Sequence, residues 1–120
     1  MFILLEITDI LLLKGSRKNK LLNNKMKVDI KKSTRNDKRY QAIFTDSDGT
    51  TTIKHFGYDG GLTFIDHSDE DKKKAWIARH KVRGNFADYK SASSLAKHIL
   101  WNKHTLTASI NDYKKKFNLK

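Results

Sequence analysis

The stretch HILWNKHTLTASINDYKKKF, residues 98–117, constrains the fold more than any other. It reads as the end of one helix, a four-residue turn and a second helix. Thr105 suits the N-cap, where a hydroxyl accepts a hydrogen bond from a free N–H of the next turn. Leu106, Ile110, Tyr113 and Phe117 then fall at i, i+4, i+7 and i+11, one face of a helix. Lys114, Lys115 and Lys116 crowd its last turn, where positive charge suits the helix dipole. The rest of the chain is expected to pack against this hairpin.

Upstream, the periodicity changes from that of a helix to that of a strand. Lys27–Ser33 alternates, with Val28 and Ile30 on one side and Asp29 and Lys31 on the other. Arg39–Thr45 places Tyr40, Ala42 and Phe44 on one face. Asp46-Ser47-Asp48-Gly49 reads as a hairpin loop, with glycine supplying positive φ. Thr50–Phe56 reads as a third strand, Gly57–Gly61 as a loop and Leu62–Ile65 as a short fourth strand. A helix is expected from Ser68 to a stop at Gly84, and another from Ser91 to Asn102. The fold class expected is α+β: a three- or four-stranded antiparallel sheet followed by three helices packed on one face.

Residues 26–120 are expected to form one domain, a size that suits a single modest core. Residues 1–25 form an apolar and then basic extension. Its MFILLEITDILLL run is too short to span a bilayer, and Glu6 and Asp9 interrupt it. The basic residues follow the run, whereas a secretory signal has them in front. The run reads as a buried strand or short helix, as an interfacial or oligomerising segment, or, preferred here, as sequence upstream of a usual start at Met26.

The net charge of +12 in 120 residues points to a polyanionic partner: nucleic acid, an anionic surface or an acidic protein. An AT-rich genome also raises lysine content. Three clusters carry the charge. Lys31, Lys32, Arg35, Lys38 and Arg39 surround the first turn. Lys72, Lys73, Lys74, Arg79, Lys81 and Arg83 run along the first helix. Lys97, Lys103, Lys114, Lys115 and Lys116 surround the helical hairpin. The expected nucleic-acid contacts are these residues without Lys97 and Lys116. DNA is preferred to RNA, and phosphates are the groups bound. Arg79 and Arg83, one turn apart and near Trp76, are candidates for finer reading or stacking. The last two helices also have the rough spacing of a helix-turn-helix, exposing Thr107, Asn111, Lys114 and Lys115.

Other motifs carry less. Asp46-Ser47-Asp48-Gly49-Thr50 has the letters of a Mg²⁺-dependent phosphatase nucleophile motif, but a hairpin turn explains the same letters. A calcium loop fails because its twelfth position is Gly57. Five histidines without H-x₃-H spacing, and no cysteine, give no metal site. No cofactor motif and no catalytic set are expected.

KVDIKKSTRNDKRYQAIF, IKHFG, AWIARHKVR and ILWNKHTLTASINDYKKKFNL resemble a family of small basic proteins of unknown function. That family is encoded by nucleocytoplasmic large DNA viruses of algae and amoebae. The resemblance spans roughly Met26 to Leu119. Ile77–His80 and Leu100–Lys103 are its most specific pieces. His104 stands where members tend to have proline, so the turn is expected to be less rigid. The resemblance implies a viral origin, a place in the virion or in the viral factory of the host cytoplasm rather than secretion, and no transferable activity. Genome packaging or organisation is the expected role, with a virion structural protein as the alternative.

Overall fold

The computed structural model describes residues 25–120. The expectations for residues 1–24 lie outside the described residues. Three strands form an antiparallel meander: β1 (Lys27–Lys32), β2 (Lys38–Thr45) and β3 (Thr51–Tyr58), in the order β1-β2-β3. Val28 pairs with Phe44 and Ile30 with Ala42, while Tyr40 pairs with Phe56. The period of two therefore gathers Val28, Ile30, Tyr40, Ala42, Phe44 and Phe56 on the face that meets the helices. The opposite face carries Ile43 opposite Ile53, and Ile53 is 52% exposed. Gln41, also on that face, is buried under the β1–β2 turn, where its side-chain oxygen accepts from the Thr34 N–H at 3.3 Å.

The segment expected as a fourth strand is a one-turn helix instead, α1 (Phe64–His67). The reason is local. Thr63 and Asp66 have capping-box spacing, and the Asp66 carboxylate accepts from the Thr63 N–H at 2.7 Å and its hydroxyl at 3.0 Å. Arg39 then clamps the same carboxylate with two bonds of 2.7 Å each. A strand here would break both sets. Buried Phe64 anchors the turn in the core.

Helix α2 (Glu70–Lys81) starts later than expected. Ser68 adopts a left-handed conformation, with φ of 55°, and Asp69 takes the cap. The Asp69 carboxylate accepts from the N–H groups of Asp71 and Lys72 at 3.0 and 3.1 Å. The helix expected over 91–102 is a short α3 (Ala92–Leu95) that widens into a π-helical turn, Ala96–Leu100. The Trp101 N–H reaches back five residues to the Ala96 carbonyl at 3.1 Å. The widening follows from burial. His98, Ile99, Leu100 and Trp101 are four consecutive buried residues, more than one narrow face of an α-helix accommodates.

Helix α4 (Leu106–Lys116) begins as expected, with the Thr105 hydroxyl accepting from the Ala108 N–H at 3.1 Å. Tyr113 is fully buried, and Leu106, Ile110 and Phe117 pack against the core beside it. Past α4 the chain returns to the sheet. The Lys120 N–H donates to the Met26 carbonyl at 2.9 Å, and the Val28 N–H donates to the Lys120 carbonyl at 3.2 Å. These bonds cover part of the β1 edge, which otherwise presents unpaired backbone groups.

His98 gives this core a pH response. It is buried, and its imidazole is pushed down to about 4, by burial first and then by Lys97 and Lys116; Asp112 and the Phe86 backbone oppose the shift only in part. The folded state therefore binds this proton more weakly than the unfolded chain, whose histidine titrates near pH ~6.5. The contribution is fully present above that pH and is lost as pH falls toward 4. Urea unfolding at pH 7 and pH 4.5 is expected to show a loss of about 2–3 kcal/mol, greatly reduced in His98→Gln. An unchanged pH slope in the variant contradicts the assignment.

Candidate nucleic-acid interface

The site is built around α2, whose charges are segregated along its axis. Glu70 and Asp71 follow the Asp69 cap, and Arg79, His80 and Lys81 close the helix. Each group of charges offsets the partial charge of its end of the helix. A polyanion meets repulsion at the first end and attraction at the second.

Around the axis, 100° per residue divides the basic side chains further. Lys73, Trp76 and Ile77, the only partly buried residues of the helix, point toward the body of the protein, and exposed His80 continues that side. Lys72, Arg79 and Arg83 fall together on the side of Trp76, and Lys74 and Lys81 fall on the other. No residue of α2 is buried, so the helix rests on the domain through a few contacts. One is Lys73, whose ammonium donates to the Asn102 carbonyl at 2.8 Å and lies 4.6 Å from the centre of the Phe64 ring. Another is an aromatic column. Trp76 stacks on His80 at 4.0 Å and 15°, and on Trp101 at 5.3 Å and 13°. Trp101 is buried in the core, so the column ties α2 to the helical hairpin.

On the Lys81 side, three elements contribute lysines to one patch. Lys97, half-buried on the π-helical turn, has its ammonium 4.7 Å from the centre of the Phe86 ring. Its proton affinity is lowered by burial and then by repulsion from Lys116 and Lys81. Those neighbours close α4 and α2. Among the described residues none of the three has a carboxylate within salt-bridge distance. This convergence gives a local excess of positive charge drawn from three elements.

The other expected contacts divide into those paired internally and those left outward. Arg35 makes two bonds to Asp37, at 3.1 and 2.9 Å. Arg39 is held by Asp66, whose carboxyl the guanidinium bonds bring down to about 2. Lys31 lies 3.4 Å from Asp29. Lys73 is engaged as described. Lys32, Lys72, Lys74, Arg79, Lys81, Arg83, Lys103 and Lys115 are exposed, and Lys38 and Lys114 are half-exposed. The structure thus brings part of the second cluster together with part of the third, and gives several members of the first cluster local carboxylate partners. Lys97 and Lys116, named in the third cluster but left out of the expected contacts, sit at the centre of the patch. Their meeting with Lys81 has no local sequence signal, because it depends on how the hairpin docks against α2.

The Asp46–Thr50 motif lies at the exposed tip of the β2–β3 hairpin. The Asp46 carboxylate accepts from the Ser47 N–H at 2.7 Å, and the Asp48 carboxylate accepts from the Thr50 N–H at 3.0 Å. Gly49 has φ of +88°, as the turn requires. Among the described residues no group of three or more histidine, aspartate or glutamate side chains is placed to hold a metal ion. Nor is any helix there long and apolar enough to cross a membrane.

A cleft of about 460 Å³ opens on the Trp76 side of α2. Trp76, His80 and Trp101 line one wall, and Tyr58, Leu62 and Lys38 line the side toward the sheet. Tyr58 is 75% exposed and Leu62 73%. No pattern in the sequence signals this cleft. The apolar Leu62 after the glycine-rich loop reads there as part of a strand.

A comparison with known families matches residues 28–80 to a family of unknown function, DUF5754. The match runs from β1 to the penultimate residue of α2 and covers less than half of the chain. No curated protein and no solved structure matches the chain.

Proposed function

We propose that this chain is a non-enzymatic protein that binds nucleic acid, duplex DNA first, through phosphate contacts with little sequence preference. The observation that carries the reading is the convergence of Lys81, Lys97 and Lys116 from three elements, with no carboxylate among the described residues within salt-bridge distance of them. The partly buried Lys97 ammonium, repelled by its two exposed neighbours, gains from an added anion, and a row of phosphates supplies one to each lysine. Arg79 and Arg83 are exposed on the opposite side of α2, toward Trp76, and Lys115 is exposed beside Lys116 in sequence. The viral setting, and a role in packaging or organising a genome in the virion or viral factory, rest on the resemblance over residues 26–119 and are proposed with it.

The test is a comparison of two multiple variants binding random duplex DNA. Changing Lys81, Lys97 and Lys116 to Gln is expected to lower affinity and to flatten the salt dependence by about one unit of slope per lysine. Changing Lys31 and Arg35, which have carboxylate partners, is expected to alter binding little. Equal losses from the two variants would refute the assignment of the patch.

One observation favours a second reading, a structural protein that binds other viral proteins. The outer sheet face exposes Ile53 beside the partly buried Ile43. Binding of a protein partner that is lost in Ile53→Lys, with DNA binding intact, would favour it.

A further inference from the structure

We infer that the cleft between α2 and the β3–α1 connection receives an unpaired nucleobase of a single strand, an inference that rests on the phosphate-binding reading above. A base needs a planar, polarisable surface and a dry wall. The cleft offers the exposed ring of Tyr58 and the apolar Leu62 on the side toward the sheet, facing exposed His80 at the end of the column in which Trp76 stacks on both His80 and Trp101. Its volume of about 460 Å³ lies within the range of small-ligand sites.

The charge around the cleft argues for a nucleotide over an apolar side chain from a protein. Lys38 lines the sheet side. Arg79 and Arg83 share the Trp76 side of α2 by helical geometry, and both are exposed. No acidic residue lines the cleft. A strand laid across it therefore has cations on both sides for the flanking phosphates while its base enters the apolar centre. His80 adds a polar edge. Its Nδ1–H donates to the Trp76 carbonyl at 2.9 Å, which makes Nε2 of the neutral ring the acceptor left for an amino group of a base. Stacking on aromatic rings tolerates any base, which agrees with binding of low sequence preference.

Trp76 and Trp101 are the only tryptophans in the chain, and both line the cleft. Their fluorescence therefore reports occupancy directly. The experiment titrates the full chain with a thymidine dodecamer and with an abasic strand of the same length. The thymidine strand is expected to quench the tryptophans and to bind about five- to a hundredfold more tightly than the abasic strand. The double variant Tyr58→Ala and Leu62→Ala, both at exposed positions, is expected to lose most of that difference while keeping its affinity for the abasic strand and the salt slope. Equal binding of the two strands without quenching overturns the cleft assignment and leaves the phosphate reading standing. Binding of neither strand overturns both. Quenching by an uncharged aromatic peptide as strong as that by the dodecamer assigns the cleft to a protein partner and overturns the nucleobase.

Discussion

Tyr113→Ala is expected to cost about 3–5 kcal/mol, enough to unfold much of a small domain. The side chain is fully buried on α4, with Phe117 at 5.4 Å and His98 at 6.4 Å between ring centres. Its hydroxyl donates to the Tyr89 carbonyl at 2.5 Å and so ties the loop before α3 to the last helix. Burial holds the phenol above its usual range, so it remains a donor. Removing the ring empties the space between the hairpin and the sheet, and a backbone carbonyl loses its partner. Tyr113→Phe separates these two effects. It keeps the packing, and the lost hydrogen bond is expected to cost about 1–2 kcal/mol. Urea unfolding of both variants gives the comparison. Similar losses in the two would mean that the hydrogen bond, and not the packing, dominates.

Gly57→Ala is expected to cost about 2–4 kcal/mol, a large effect for the addition of one methyl group. Gly57 lies in β3 with φ of +81°, a conformation that disfavours any side chain. A Cβ there would also sit 2.9 Å from Leu100 Cδ1 and 3.2 Å from Arg39 Cβ. Leu100 is buried in the π-helical turn, and Arg39 is fixed by Asp66, so neither yields easily. The same change narrows the cleft, which Gly57 lines. Gly49→Ala is the control: it also has positive φ, but nothing lies within 4 Å of its Cβ. It isolates the backbone part of the cost. Equal losses at the two positions would contradict the close approach of Leu100.

The parts of the fold that were legible in the sequence are those fixed by neighbouring residues. Thr105 caps α4, and the i, i+4, i+7, i+11 face of Leu106, Ile110, Tyr113 and Phe117 turns inward because both follow from helical geometry alone. The alternation in β1 and β2 and the Asp-Gly turn are likewise local. Leu62–Ile65 reads as a strand in sequence because four residues cannot show a period, and the interactions that decide the outcome include Arg39, 27 residues before Asp66 on the middle strand. The π-helical turn was hidden for a similar reason. His98 to Trp101 look like any helical run until the sheet and α4 demand that all four be buried. The candidate interface was half legible. Its lysines could be named, but which would meet an anion and which would meet a carboxylate depends on tertiary contacts. Lys97 beside Lys81 and Lys116, and Trp76 against Trp101, are contacts between elements that only the docking of the hairpin creates.

The slope of log K against log salt for the unmodified chain on random duplex DNA tests the central claim most directly. The three lysines of the patch, Lys81, Lys97 and Lys116, are available to phosphates. If each takes one, the slope is expected to be about −3. A slope near zero, or no binding at low salt, would contradict the phosphate reading and leave the charge of these helices without a nucleic-acid role.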